Sequence, residues 1–139
     1  VLYRSDFEKK GAVGWDVLSG EWMAQNGAYR QESVGVPGIV TLGNPDWSDY
    51  TIQLKARKIA GEEGFLIFFN WINDTNFHCF NIGGWQNTQS AIQHNVDGNV
   101  GHLATVPHHV ESNVWYDIRV VTRGSRIDCY VDSLLVLTS

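Results

Sequence analysis

The sequence predicts an all-β chain, a two-sheet antiparallel β-sandwich of the jelly-roll kind. Three observations carry that expectation. Short β-type runs separated by turn signals dominate the 139 residues, and no segment sustains an apolar 3.6-residue period. Asn26-Gly27 is the preferred centre of a two-residue type I′ hairpin, because both positions tolerate positive φ. Residues 50–58 alternate cleanly, with Tyr50, Ile52, Leu54 and Ala56 facing one way and Thr51, Gln53, Lys55 and Arg57 the other, the pattern of a half-buried antiparallel strand.

Along the chain, Gly20-Glu21-Trp22-Met23-Ala24 and Ala28-Tyr29-Arg30-Gln31 form the arms of the first hairpin. In that register Ala24 opposes Tyr29, and Trp22 and Tyr29 share a face. A loop through Val34-Gly35-Val36-Pro37-Gly38 leads to a short strand at 39–42, and Gly43-Asn44-Pro45-Asp46 turns into the alternating strand. Residues 64–71 are apolar on both faces, as expected of a central strand covered by a second layer or by large side chains. Asn73-Asp74-Thr75 returns the chain through 77–82 to a loop at Gly83-Gly84-Trp85. Residues 90–95 form the next strand, ended by Asp97-Gly98-Asn99, and 102–112 are mixed in character. Strands at 115–122 and 126–131, joined at Arg123-Gly124-Ser125, and a closing strand at 134–137 bring the count to about ten. One domain spanning 1–139 is the expected organisation.

The composition excludes several classes of function. The chain is 43% hydrophobic and 12% aromatic, with six Trp, which is incompatible with general disorder. A formal charge of −5 and a pI near 5.4 argue against nucleic acid as a partner, since phosphate binding needs a basic face. No run approaches the roughly 18 apolar residues of a membrane span, so no membrane partner is expected. The N-terminus lacks the charged and apolar regions of a signal peptide, and the missing initial Met suggests a processed protein or an excised module. Cys79 and Cys129 are the only cysteines; two buried thiols or one inter-strand disulfide both fit their positions.

The candidate site is a polar, Trp-bearing loop fed by an apolar strand. Glu62-Glu63-Gly64-Phe65-Leu66-Ile67-Phe68-Phe69-Asn70-Trp71 is answered by Asn81-Ile82-Gly83-Gly84-Trp85-Gln86-Asn87-Thr88-Gln89. An aromatic plate beside amides and carboxylates suits the CH-rich face and hydroxyl rim of a sugar ring. Trp85 follows two glycines that let the backbone swing its ring outward; it is either a platform or an end cap. Trp71 either flanks the same groove or fills the core. Glu63 offers a carboxylate for paired hydroxyls, and Arg57 is its natural donor partner or its surface ion pair. Asn70 stands with Glu63 on one side of the expected groove. Asn87, Gln89, Gln93 and His94 add neutral donors and acceptors on the other. His102, His108 and His109 are expected in a solvated loop rather than on a metal. Asp6, Glu8, Asp128 and Asp132 raise structural calcium as a cofactor, with no spacing that assigns the ligands.

Five stretches carry a resemblance to a known module: Trp22 with Asn26-Gly27 and Gln31; Asp46-Trp47-Ser48-Asp49-Tyr50; Glu63-Gly64-Phe65-Leu66-Ile67-Phe68; Asn81-Ile82-Gly83-Gly84-Trp85-Gln86-Asn87; and Trp115-Tyr116-Asp117-Ile118-Arg119-Val120. Over about 14–136 the chain resembles the concanavalin-like or laminin-G-like β-sandwich of carbohydrate-binding type attached to secreted α-L-arabinofuranosidases of glycoside hydrolase family 51. His78 and Cys79 stand where aromatic residues are more usual in that family. The resemblance implies an extracellular, non-catalytic accessory module that holds an attached enzyme on a hemicellulose such as arabinoxylan or xylan, because the barrel that carries the catalytic glutamates of those enzymes is not among these residues. Two other readings compete. A small glycosidase would need two carboxylates about 5–9 Å apart, for which Glu62, Glu63, Asp117 and Asp128 are available with no spacing that singles out a pair. A laminin-G-like protein-interaction domain would expose apolar or calcium-dependent patches.

Overall fold

Every strand pair is antiparallel in the computed structural model, which describes residues 1–139. The chain forms two units, Val1–Asn44 and Pro45–Ser139. In the first, β1 (Asp16–Ser19), β2 (Trp22–Gln25), β3 (Ala28–Gln31) and β4 (Ile39–Thr41) make two ribbons, β1 on β4 and β2 on β3. Asn26 and Gly27 turn β2 into β3 with φ of 53° and 72°, the two positive values a type I′ turn needs. Ala24 pairs with Tyr29 as the sequence predicts. The rings of Trp22 and Tyr29 meet at 5.1 Å, and Phe7 stacks on Tyr29 at 5.5 Å. β1 gave no sequence signal, because Asp16, Val17 and Leu18 are all exposed and show no alternation.

The second unit is a two-layer sandwich. Its strands are β5 (Thr51–Ala56), β6 (Phe65–Asn73), β7 (Asn76–Gly83), β8 (Gln89–Val96), β9 (Asn99–Pro107), β10 (Tyr116–Arg123), β11 (Arg126–Val131) and β12 (Leu134–Thr138). One sheet runs β12-β11-β10-β5 and the other β6-β7-β8-β9. Alternation decides the core. Phe69, Phe80, Ile82 and Ile92 from one sheet meet Ile118, Val120, Ile127 and Cys129 from the other, and each fully buried Phe or Ile contributes about 1.5–3 kcal/mol. Tyr50, Ile52, Leu54 and Ala56 pack on this core, as their spacing predicts. Asp97 and Gly98, with φ of 51° and 84°, form the two-residue turn between β8 and β9.

Two expectations change. Residues 64–71 are not a central strand: β6 lies at the edge of its sheet. Its second apolar face, Leu66 and Phe68, is left on the outside, and Leu66 is 56% exposed. The segment with mixed character is mostly β9, which together with β1 raises the strand number to twelve. Cys79 and Cys129 are both free and buried.

Candidate ligand-binding face

Because side chains alternate across a strand, the residues outside the β6-β7-β8-β9 sheet follow from its register. Phe68 pairs with Cys79, Cys79 with Gln93, and Gln93 with His102. Leu66 pairs with Asn81, and Phe77 with Asn95. Together they enclose a groove of about 210 Å³ lined by Leu66, Phe68, Phe77, Asn81, Gln93 and Asn95, with Cys79 in its floor.

The middle of this face is polar and already aligned. The Asn81 amide donates from Nδ2 to Gln93 Oε1 at 3.2 Å. Gln93 Nε2 lies 3.1 Å from His102 Nε2; the amide nitrogen has only protons to give, so the ring nitrogen is the acceptor in this contact. The His102 ring meets Trp85 edge-on at 5.2 Å. Asn95 Oδ1 is buried with no hydrogen-bond partner in the protein, an acceptor whose desolvation goes uncompensated. Beyond Phe77 the face turns aromatic: Phe68 and Phe77 lie 4.7 Å apart, and Trp71 stacks on Phe77 at 4.8 Å.

Trp85 is held up by an unusual turn. Gly83 takes φ 66°, and Trp85, Gln86 and Asn87 follow at 51°, 60° and 63° within the one-turn segment Gly84–Asn87. Left-handed backbone costs a non-glycine residue about 1–2 kcal/mol, so three such residues persist only if their surroundings fix them. The fixings are specific. Gln86 N donates to Glu63 Oε1 at 3.0 Å. Thr88 Oγ1 donates to the Trp85 carbonyl at 2.7 Å. Asn87 Nδ2 donates to Val110 O at 2.7 Å, while its Oδ1 accepts Val110 N at 2.8 Å. Gly84 leaves room for the Asn81 amide, since a Cβ there would stand 2.6 Å from Asn81 Oδ1 and push that side chain aside. The turn thus presents Trp85, 36% exposed, directly beside the amide row.

The structure distributes the sequence-predicted residues over several places. Trp85, Gln93 and Trp71 belong to the outer face. Glu63 and Asn87 spend their polar atoms on the Trp85 turn. Arg57 does not reach Glu63; its guanidinium lies 4.8 Å over the Trp115 ring, and neither residue is in any of the three ion pairs. Asn70 donates to His78 Nδ1 at 3.3 Å, and its own N–H donates to Tyr50 Oη at 2.6 Å. His94 sits opposite His78 with its ring against Gly101, and it borders the groove from the sheet's other face. His108 and His109 are not simply a solvated loop: Ser90 Oγ lies 2.7 Å from His108 Nδ1. His102 is on a strand, in the amide row.

Sequence reasoning missed Asn81 and Asn95 as groove residues and His102 as their neighbour on the same face. The period of two offered a signal, since Asn95 stands two positions from Gln93. No group of three or more His, Cys, Asp or Glu side chains comes together as a metal site. Asp128 accepts from Arg126 and Thr138, and the Arg126 guanidinium holds its carboxyl below the usual range, the reverse of what a general acid requires. Asp132 accepts the Asp117 N–H.

Comparison with known proteins places this geometry. The chain is 37% identical, over 132 residues, to an extracellular exo-α-L-arabinofuranosidase of Streptomyces chartreusis. That match takes in 94% of the chain but 16% of the relative, so the chain corresponds to a small part of the hydrolase. Among solved structures it is similar to the carbohydrate binding module CBM66 from Bacillus subtilis, with a TM-score of 0.77 and 19% identity over 91% of this chain and 78% of that one. At that identity the likeness establishes the β-sandwich fold. No family model matches.

Proposed function

We propose that the chain is a non-catalytic carbohydrate-binding module of a secreted, arabinofuranosidase-type glycoside hydrolase. It acts as one module over 1–139 and holds hemicellulose such as arabinoxylan or xylan on the outer face of the β6-β7-β8-β9 sheet. The observation that carries this reading is the row Asn81, Gln93, His102 and Trp85, with the Phe68, Phe77 and Trp71 rings beside it. Neutral amides with an imidazole suit uncharged hydroxyls, and the exposed indole suits the CH face of a sugar. The orphan Asn95 oxygen gains a partner when a sugar hydroxyl donates to it. The similarity to a small part of an extracellular hydrolase and to the fold of a carbohydrate-binding module supports the same reading. A module of this kind works by effective concentration, since even weak binding keeps an attached enzyme near its polymer.

The test is affinity electrophoresis in arabinoxylan gels. Trp85→Ala and Gln93→Ala should each weaken retardation about threefold to tenfold, the range expected from an aromatic or hydrogen-bonding contact. Unchanged retardation of both variants would reject this face as the site.

A further inference from the structure

The opposite sheet carries a second, differently charged surface. On the outer face of β12-β11-β10-β5, Arg119 pairs across the strands with Tyr130 on one side and Gln53 on the other. Its guanidinium lies 4.1 Å over the Tyr130 ring. Stacking of this kind fixes the plane of the fork while leaving its N–H groups free. None of the three ion pairs involves Arg119, and its guanidinium donates no hydrogen bond to the protein. A cavity of about 130 Å³ adjoins it, lined by Gln53, Asp117, Arg119, Tyr130 and Ser133.

The surroundings are basic for so acidic a chain. By strand alternation Lys55, Arg119, Arg123 and Arg126 share this face, and Arg57 follows just past β5 over the Trp115 ring, together half of the chain's ten Lys and Arg residues. Asp128 is bound to Arg126 at 2.9 Å, and Asp117 faces Lys55 at 3.6 Å. We infer that this cavity is a second binding site, specific for the carboxylate of a hexuronate unit in an acidic polysaccharide.

A planar guanidinium fork matches a planar carboxylate with two parallel hydrogen bonds. A doubly charged phosphate is disfavoured, because Asp117 borders the cavity and Lys55 offsets only one negative charge. The neighbouring groups suit the hydroxyls that flank a sugar carboxylate: Asp117 accepts, the Gln53 amide does both, and the Ser133 hydroxyl does both. The lining offers a single guanidinium, so the cavity pairs with one carboxylate and its adjacent hydroxyls. Recognition is therefore of single acidic units along a chain. The sugar identity rests on the proposed carbohydrate-binding function, whereas the carboxylate specificity rests on Arg119 alone.

The experiment compares retardation of the whole chain in gels of polygalacturonate, its methyl ester, neutral arabinoxylan and polyglutamate. Polygalacturonate should retard the protein and the methyl ester should not. Arg119→Gln should weaken polygalacturonate binding about tenfold, as expected for loss of a charge-assisted pair, and leave arabinoxylan binding intact. Arg119→Lys should restore part of it. Equal retardation by acid and ester, a comparison that needs no variant, overturns the site. So does unchanged polygalacturonate binding by an Arg119→Gln protein whose urea midpoint matches the parent. Equal retardation by polyglutamate overturns the sugar assignment. Gln93→Ala separates the two faces: loss on arabinoxylan with polygalacturonate binding kept leaves each site standing, and no arabinoxylan binding in the parent rejects the groove without touching Arg119.

Discussion

Asn87 grips the backbone of Val110 in both directions, donating to its carbonyl at 2.7 Å and accepting its N–H at 2.8 Å. One side-chain amide thereby does the work of a strand partner, and it does so from a left-handed residue at φ 63°. Val110 is itself 1% exposed, so the clamp ties the Trp85 turn to the core.

Replacing Asn87 tests that clamp. Asn87→Ala leaves the Val110 groups without their partner and forces a Cβ-bearing residue with no compensating hydrogen bonds to stay left-handed, so it should cost about 2–4 kcal/mol. Asn87→Gly loses the clamp but relieves the backbone, and should cost about 1 kcal/mol less. Urea denaturation measures both, and equal midpoints for the two variants would show that the φ of 63° carries no strain.

Stability should fall as the solution is acidified below about pH 6.5. Burial, then the charge of His94, pushes the His78 imidazole below its ordinary value of 6.5; burial, then His109, does the same to His108. The unfolded chain therefore takes up protons first. The full contribution is present well above pH 6.5 and is lost as pH falls through that value and on through the lower native ones. Asp128, also shifted down from 3.8, adds a further loss only in its own more acidic range. Urea midpoints should fall slightly from pH 8 to 6.5, where the unfolded histidines are half protonated, and further by pH 5, and His108→Gln should flatten the drop. A midpoint that rises on acidification would contradict this.

Both thiols should be inert in the native protein. Burial pushes Cys79 and Cys129 up to about 12, and Cys79 is 3% exposed although it floors the groove. Little thiolate forms at pH 8, and access is blocked as well. Iodoacetamide at that pH should label neither cysteine in buffer and both in urea, read by mass. Rapid native labelling of Cys79 would mean the groove floor opens.

Where the physics is local, the sequence had already decided the outcome. Asn26-Gly27 and Asp97-Gly98 turn because those residues accept positive φ, and the alternation through Tyr50, Ile52, Leu54 and Ala56 fixes which side of β5 meets the core. The prominence of Trp85 after two glycines was legible for the same reason. What remained open was which partner each strand would find. Residues 64–71 looked central because both faces are apolar, yet pairing puts β6 at a sheet edge, and its outward Phe68 becomes a groove wall. Gln93 and His94 were assigned to one surface, whereas neighbouring residues on a strand point to opposite faces. Only the pairing of His94 with His78, beside Phe69, decides that Gln93 is the one facing the groove.

The same limit governs the carboxylates and amides. Run length, alternation and turn residues determined that this chain is an all-β protein, and composition that it has surplus rings. Tertiary structure alone decided that Glu63 and Asn87 brace the turn, that Arg57 lies on Trp115, and that Asn81, Gln93 and His102 line up beside Trp85. Period-two alternation sorts residues into two sets, and long-range register, set by burying the better apolar set, chooses which of them meets solvent.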